Sequence, residues 1–233
     1  MKTLAIDSSL PAGSVAALSD GRISERQLPE AGTHARLIAA ALVETSAAVG
    51  WTPADSELIA VVRGPGSFTG LRVGLATAKA MAWAGGATLI GVSGFEVIAR
   101  RTAAASGQPN APIHVAYDAG RGELFVAEVV PAREAAGGWS VGPARLSGVE
   151  DWLQSLPRQA RVSGPALALL ADRLASRDDI VVAPRAAWCP TAADAAAVAL
   201  LHAAAGEADA PHALVPEYLR PSYADETAAR PAR

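Results

Sequence analysis

The sequence predicts an α/β layered fold, and three observations carry that expectation. Short apolar strand segments open the chain, with "SVAALS" and "RISERQL" joined by Asp20-Gly21, a strong hairpin signal. Helical spacing then alternates with further apolar strands, giving the order β-β-β-α-β-α-β-α by about Arg101. The composition supplies a core to match: 51% of the 233 residues are apolar and mean hydropathy is +0.22, which suits one large domain or two small ones sharing a core.

Taken in order, "KTLAID" reads as the first strand and the hairpin above supplies the next two. From Thr33 to Val49, Leu37, Ala40, Ala41 and Glu44 have helical spacing, and Gly50 closes the segment as a C-cap does. Thr52-Pro53 marks a short helix start before the strand "ELIAVVR". A glycine-rich loop follows, then a helix over Gly70 to Ala84, the strand "ATLIGV" and the helix "SGFEVIARR", where Ser93 and Glu96 have capping-box spacing. "AAASGQPNAP", residues 103–112, is the linker candidate. It divides the chain into residues 1–105, residues 106–220 and a flexible tail, 221–233. Beyond the linker, "IHVAYDAGRGELFVAEVV" reads as a hairpin. "EDWLQSL", "ALALLADRLA" and "TAADAAAVALLHAAA" read as helices, with "ARVSG" and "DIVVA" as strands. Thr191 and Asp194 again have capping-box spacing. The Pro-rich, charged end "VPEYLRPSYADETAARPAR" is expected at the surface. Two β-rich beginnings followed by helices fit a duplicated α/β unit.

Charge and cysteine usage narrow the function classes. A net charge of -3 argues against a freestanding nucleic-acid binder, which needs a basic face to neutralise phosphates. The single cysteine, Cys189, excludes an internal disulfide and makes a cytosolic location the default. The apolar start "MKTLAIDSS" stops at Asp7, too early for a signal-peptide core. No run approaches the roughly eighteen apolar residues of a membrane span.

The stretch "RGPGSFTGLRVG", Arg63 to Gly74, holds four glycines and a proline between a strand and a helix, where phosphate-binding turns sit. A P-loop ends in Gly-Lys-Ser/Thr, so that the lysine reaches the outer phosphates and the hydroxyl holds magnesium. Here Gly70-Leu71-Arg72 supplies neither. The dinucleotide fingerprint is met at Gly64 and Gly66 but broken by Thr69, and "TLIGVS" ends without the ribose-binding acid. The competing reading is a tight turn with close backbone packing at a helix start.

Asp7, with Ser8 and Ser9 at the end of the first strand, is the second suggestive feature. In actin-like ATPases an acid at this position meets magnesium and phosphate, and a plain structural role as the cap of a strand-to-turn reversal explains it equally well. The histidines His34, His114, His202 and His212 are scattered, with no ligand pair at i, i+4. Cys189 lies between Trp188 and Pro190 with no basic neighbour, which reads as a buried or inert thiol. No Gly-x-Ser-x-Gly elbow exists, since Thr69 stands where the elbow needs glycine. No catalytic set assembles, and neither metal nor cofactor is expected.

The segments "LAIDSSLPAGSVAAL", His34 in the first helix, "RGPGSFTGLRVGLATAKAMAWA", "LIGVSGFEVIA", "DAGRGELFVAEV" and "PEYLR" resemble, in order and spacing, the bacterial tRNA threonylcarbamoyladenosine biosynthesis family TsaB, also called YeaZ. The resemblance runs to about Arg220. It implies an actin-like (ASKHA) fold of two similar α/β lobes with mixed sheets. It also implies a non-catalytic partner of TsaD, the related subunit that moves a threonylcarbamoyl group onto the adenosine beside the anticodon in tRNAs reading ANN codons. The ATPase TsaE joins that assembly, and tRNA contact is indirect. In the catalytic relative a His-x-x-x-His pair holds the metal. Counted from Gly64, those positions fall here on Gly94 and Ile98, neither of which coordinates a metal.

The resemblance further implies that the two N-terminal helices form the surface for TsaD, and for a homodimer in its absence. His34, Leu37, Ala41, Ala76, Lys79, Ala80 and Trp83 are the residues expected there, with Met81 and Trp83 as anchors. An ordinary core role for the same alanines fits the spacing as well. Two other classes stand beside the scaffold: an independent actin-like ATPase or kinase that depends on Asp7, and an endopeptidase, for which no nucleophile-base pair is visible.

Overall fold

The computed structural model describes residues 1–29, 34–108, 110–132 and 138–220. The first sheet is built from β1 (Thr3–Asp7), β2 (Ser14–Ser19), β3 (Arg22–Gln27), β4 (Leu58–Gly64) and β5 (Thr88–Ser93). Its order is β3-β2-β1-β4-β5. The hairpin strands run antiparallel to their neighbours, and β4 and β5 run parallel to β1. Asp20 and Gly21 make the hairpin turn with positive φ at both residues, as the sequence requires there.

Both faces of β1, β2 and β4 are covered, which explains why these strands read as apolar runs, while the edge strand β3 is polar and exposed. Leu4, Ile6, Val15, Ala17, Ile59 and Val61 point into one core with α1 (His34–Ala48) and α2 (Phe68–Gly85). The alternate residues Ala5, Ala16, Leu58, Ala60 and Val62 point into the other, against α6 (Ala192–Ala204) and Val97 of α3 (Gly94–Ser106). In α2 the inward stripe is Leu71, Leu75, Ala78 and Ala82, the spacing of one helical face.

The second sheet contains β6 (Ile113–Gly120), β7 (Glu123–Pro131), β8 (Trp139–Val141), β10 (Ala160–Ser163) and β11 (Ile180–Val182), with β9 (Arg145–Gly148) on β7. Its order, β11-β10-β6-β7-β8, repeats the first: a central strand, two antiparallel strands to one side and two parallel strands to the other. The duplication suggested by the sequence is therefore present at the level of topology. Helix α3 joins the lobes, since its Phe95 and Ile98 pack with Val115, Tyr117 and Val129 of the second sheet. Short helices α4 (Val149–Ser155) and α5 (Ala171–Ala175) cover the opposite face.

Several sequence expectations are corrected. Residues 103–106 are the last turn of α3, with Gly107 as its left-handed C-cap, so the linker is shorter than composition implies. Ser93 precedes α3 without a side-chain cap bond. Its supposed partner Glu96 instead faces His202, 3.0 Å from Nε2. The helix expected at "ALALLADRLA" breaks into a 3-10 turn, Pro165–Ala168, and α5. Strand β8 carries no sequence signal that marks it. The residues expected to form a C-terminal lobe hold the second sheet but return α6 and a terminal segment to the first: Asp209 N donates to the Leu89 carbonyl and Glu217 N to that of Arg63, each at 2.8 Å. The expected tail, 221–233, lies outside the described residues.

Candidate functional site

The glycine turn and the end of β1 form one closed knot. Ser67 N donates to the Ser9 carbonyl at 2.7 Å, and Ser8 Oγ donates to the Gly70 carbonyl at 2.8 Å. A Cβ on Gly66 would lie 2.2 Å from the Ser9 carbonyl oxygen, and one on Gly70 would lie 2.0 Å from that of Ser8. One on Gly74 would meet Ser8 Oγ at 2.3 Å. Gly66 and Gly70 are therefore required where backbone meets backbone, and Gly74 where the helix meets the Ser8 hydroxyl. The helix begins at Phe68, two residues before the expected Gly70, with Ser67 as N-cap accepting from Gly70 N at 3.2 Å, a cap the sequence reading missed.

The other nucleotide candidates fall into the same knot. Asp7 is 1% exposed, and its Oδ1 accepts from Ser9 N at 2.9 Å and Ser9 Oγ at 2.6 Å, the geometry of a side chain that stabilises a turn. Gly64 has φ of +144°, and a Cβ there would meet the Glu217 carbonyl at 2.9 Å. Asp7, Ser8 and Gly66 thus meet through Ser9 and the first turn of α2, while Gly64 lies against Glu217 of the terminal segment.

The positions aligned with the relative's metal ligands are occupied in another way. A Cβ at Gly94 would lie 2.5 Å from Tyr117 Oη and 3.1 Å from the Gly64 carbonyl. Ile98 is fully buried in the core between α3 and the second sheet. A histidine does not fit at Gly94 without moving Tyr117, so the residues present do not fit a metal of that kind. Tyr117 Oη is buried without a hydrogen-bond partner among the described residues. Burial pushes its phenol well above the ordinary range, with the Asp7 carboxylate adding to the effect.

Cys189 is exposed, contrary to the burial suggested by its Trp and Pro neighbours. Desolvation, then the Asp7 carboxylate, pushes its thiol up, while Arg101 opposes, so little thiolate forms. Among the described residues no group of three or more His, Cys, Asp or Glu is arranged to hold a metal, and no helix is long and apolar enough to cross a membrane.

The outer faces of α1 and α2 are open to solvent. Trp83 is 85% exposed, Ala76 and Ala80 are exposed beside it, and Lys79 and Leu37 are half-buried. Ala41, expected at this surface, lies in the core at 1% exposure. The exposed neighbour Ala40 takes the outward position. Met81, expected as an anchor, is half-buried against the same core. His34 opens α1, and its side chain is outside the described structure.

A family model described as "TsaD: tRNA N6-adenosine threonylcarbamoyltransferase" matches residues 30–226. The chain belongs to that family, on its TsaB/YeaZ branch. The tRNA threonylcarbamoyladenosine biosynthesis protein TsaB of Escherichia coli (strain K12) is 32% identical over 128 residues, 55% of this chain and 54% of its own length. The match thus spans about half of that relative. An uncharacterized protein of Mycobacterium tuberculosis (strain ATCC 25618 / H37Rv) is 34% identical over 151 residues, covering 60% of this chain and 68% of its own. In three dimensions, YeaZ from Pseudomonas aeruginosa superposes with a TM-score of 0.76 at 23% identity, covering 93% of this chain and 100% of that one. The chain therefore has the actin-like (ASKHA) fold, with two mixed α/β lobes.

Proposed function

We propose that this chain is a non-catalytic subunit that binds and supports a TsaD-type enzyme during threonylcarbamoyl transfer to the adenosine beside the anticodon of tRNAs reading ANN codons. TsaE joins the same cytosolic assembly, tRNA is held through the complex, and the chain pairs with itself when TsaD is absent. The observation that carries this reading is the combination of family membership with a glycine turn that lacks the P-loop lysine and hydroxyl and packs directly on Ser8 and Ser9 at Gly70 and Gly66. The filled positions at Gly94 and Ile98 agree with it, because acyl transfer assisted by a metal needs ligands that these residues lack. The exposed α1/α2 face supplies a surface for the partner: a helix pair that covers its own sheet while presenting Trp83 and alanines outward suits close packing by other helices.

The decisive experiment copurifies the chain with TsaD from the same organism and measures tRNA modification with and without it. Stable association and a strong dependence of modification on this subunit are expected. ATP turnover by the isolated chain that disappears in Asp7→Asn would instead establish the independent ATPase.

A further inference from the structure

The exposed positions of α2 form a single stripe. Phe68, Arg72, Ala76, Ala80 and Trp83 are exposed, with Lys79 half-buried among them. At the rise of a helix they span about 22 Å. The stripe ends in a clasp made with the terminal segment. Arg72 Cζ lies 3.7 Å from the Phe68 ring centroid, Arg72 Nε donates to Tyr218 Oη at 2.8 Å, and the Phe68 and Tyr218 rings are 5.3 Å apart. Tyr218 is tethered on both sides: Glu217 N donates to the Arg63 carbonyl at 2.8 Å, Leu219 packs against the interlobe core, and Arg220 pairs with Glu123 of β7. Phe68 remains 50% and Tyr218 46% exposed.

The charges on this face have one sign. Helix α2 contains no acidic residue, and α1 contains one, Glu44, which is paired with Arg26. Arg36, Arg72 and Lys79 therefore stand on a chain of net charge -3 with no ion-pair partner among the described residues. The clasp uses Nε of Arg72 and the face of its guanidinium. The terminal nitrogens, which form the fork that matches a carboxylate, are left without a partner among the described residues.

We propose that α2 and the terminal segment make one composite docking face, on which Arg72, held between Phe68 and Tyr218, grips a carboxylate on an acidic, apolar surface of the partner subunit. This rests on the scaffold reading above and adds to it the chemistry of the partner. Holding the guanidinium in place before binding removes rotamer freedom that a loose arginine would lose on contact. A second copy of this chain, which takes the face when TsaD is absent, sets cations against cations there and so fits it less well than an acidic partner does. RNA fits it poorly as well: three cations among alanine, valine and tryptophan do not track a phosphate backbone.

The test is calorimetric titration of the full chain with TsaD from the same organism, at low and high salt. Arg72→Glu is expected to weaken binding by about tenfold or more, and Arg72→Lys, which keeps the charge but loses the fork, by less. Tyr218→Phe, which keeps the ring and loses the bond to Nε, is expected to weaken binding a few-fold. Wild-type affinity should fall with salt while that of Arg72→Glu does not. Unchanged thermal melts establish that the variants are folded. Equal affinity of wild type and Arg72→Glu at low salt overturns this inference and leaves the scaffold reading standing. Absence of wild-type binding overturns both. Loss of self-association, or of tRNA binding by fluorescence anisotropy, with TsaD affinity intact would assign Arg72 to a second copy or to RNA and overturn the proposal.

Discussion

Ser8 and Gly70 are locked together across 62 positions of sequence: Ser8 Oγ donates to the Gly70 carbonyl at 2.8 Å, while the Ser8 carbonyl lies 2.0 Å from where a Gly70 Cβ would be. The end of β1 and the first turn of α2 thus meet with only the Ser8 hydroxyl between them. This contact converts what resembles a phosphate cradle into a rigid mount for α2, the helix whose outer face carries Phe68, Arg72 and Trp83.

Gly70→Ala is expected to destabilise the chain by about 3 kcal/mol or more, because the methyl group meets backbone that cannot rotate away. Gly85→Ala is the control. It lies at the other end of α2 with nothing within 4 Å of its Cβ position, and it should stabilise by about 0.5–1 kcal/mol through helix propensity. Thermal melts of the two variants check both, and equal melting temperatures would show that the close approach at Gly70 is not tight in solution.

Local chemistry made the first half of the fold legible. Asp20-Gly21 fixes its hairpin through backbone preferences that need no distant partner, and the unbroken apolar runs of β1 and β4 announce strands covered on both faces. Residues whose roles depend on distant neighbours were less legible. The glycines of "GPGSFTG" advertise a close approach, but Ser8 and Ser9, which approach them, are about sixty residues earlier. Glu96 has the spacing of a cap, yet it bonds His202 from 106 positions away. Ala40 and Ala41 have the same chemistry, so periodicity alone could not say which faces out. The segment Leu214 to Arg220 reads as a polar, proline-containing end. Its role appears only once Leu214 and Glu217 are seen against the bare backbone of Gly91 and Gly64.

His202 ties the end of α6 to α3 and to the following turn, with Nε2 at 3.0 Å from Glu96 and Nδ1 at 3.0 Å from Glu207. The hydrogen bond that Nε2 donates to the Glu96 carboxylate raises its pKa above the ordinary 6.5, partly opposed by burial. A raised folded value means that the charged form is stabilised by folding. This contribution is complete below pH 6.5 and is lost as pH rises through the folded value. Melting temperature should therefore decline over that window above pH 6.5, and His202→Gln should be less stable at low pH and show a shallower decline. An identical pH profile in the variant would remove His202 from the account.

Leu214 is 5% exposed, and its methyl groups sit 2.5 and 3.2 Å from where a Gly91 Cβ would be, so it seats the terminal segment on the edge of β5. Leu214→Ala should cost about 2–5 kcal/mol if the site cannot collapse. It should also raise protease cleavage near Tyr218, since the tether upstream is loosened. Native-state proteolysis followed by mass spectrometry reads the cleavage site, and unchanged protection there would mean that the contacts of Glu217, Tyr218, Leu219 and Arg220 hold the segment without Leu214.

Trp83 and Ala80 separate surface from core on α2. Trp83 is 85% exposed, so Trp83→Ala should leave the unfolding free energy within about 0.5 kcal/mol of wild type, as surface substitutions do. If the tryptophan anchors TsaD, the same change should weaken the complex by about 2 kcal/mol or more. Ala80→Arg places a long charged side chain on the same stripe, where it should block close helix packing while solvent accommodates it in the free chain. Gel filtration with TsaD reads both variants. A complex that elutes unchanged with Ala80→Arg would move the partner surface off α2, and with it the reason for an exposed tryptophan beside two alanines.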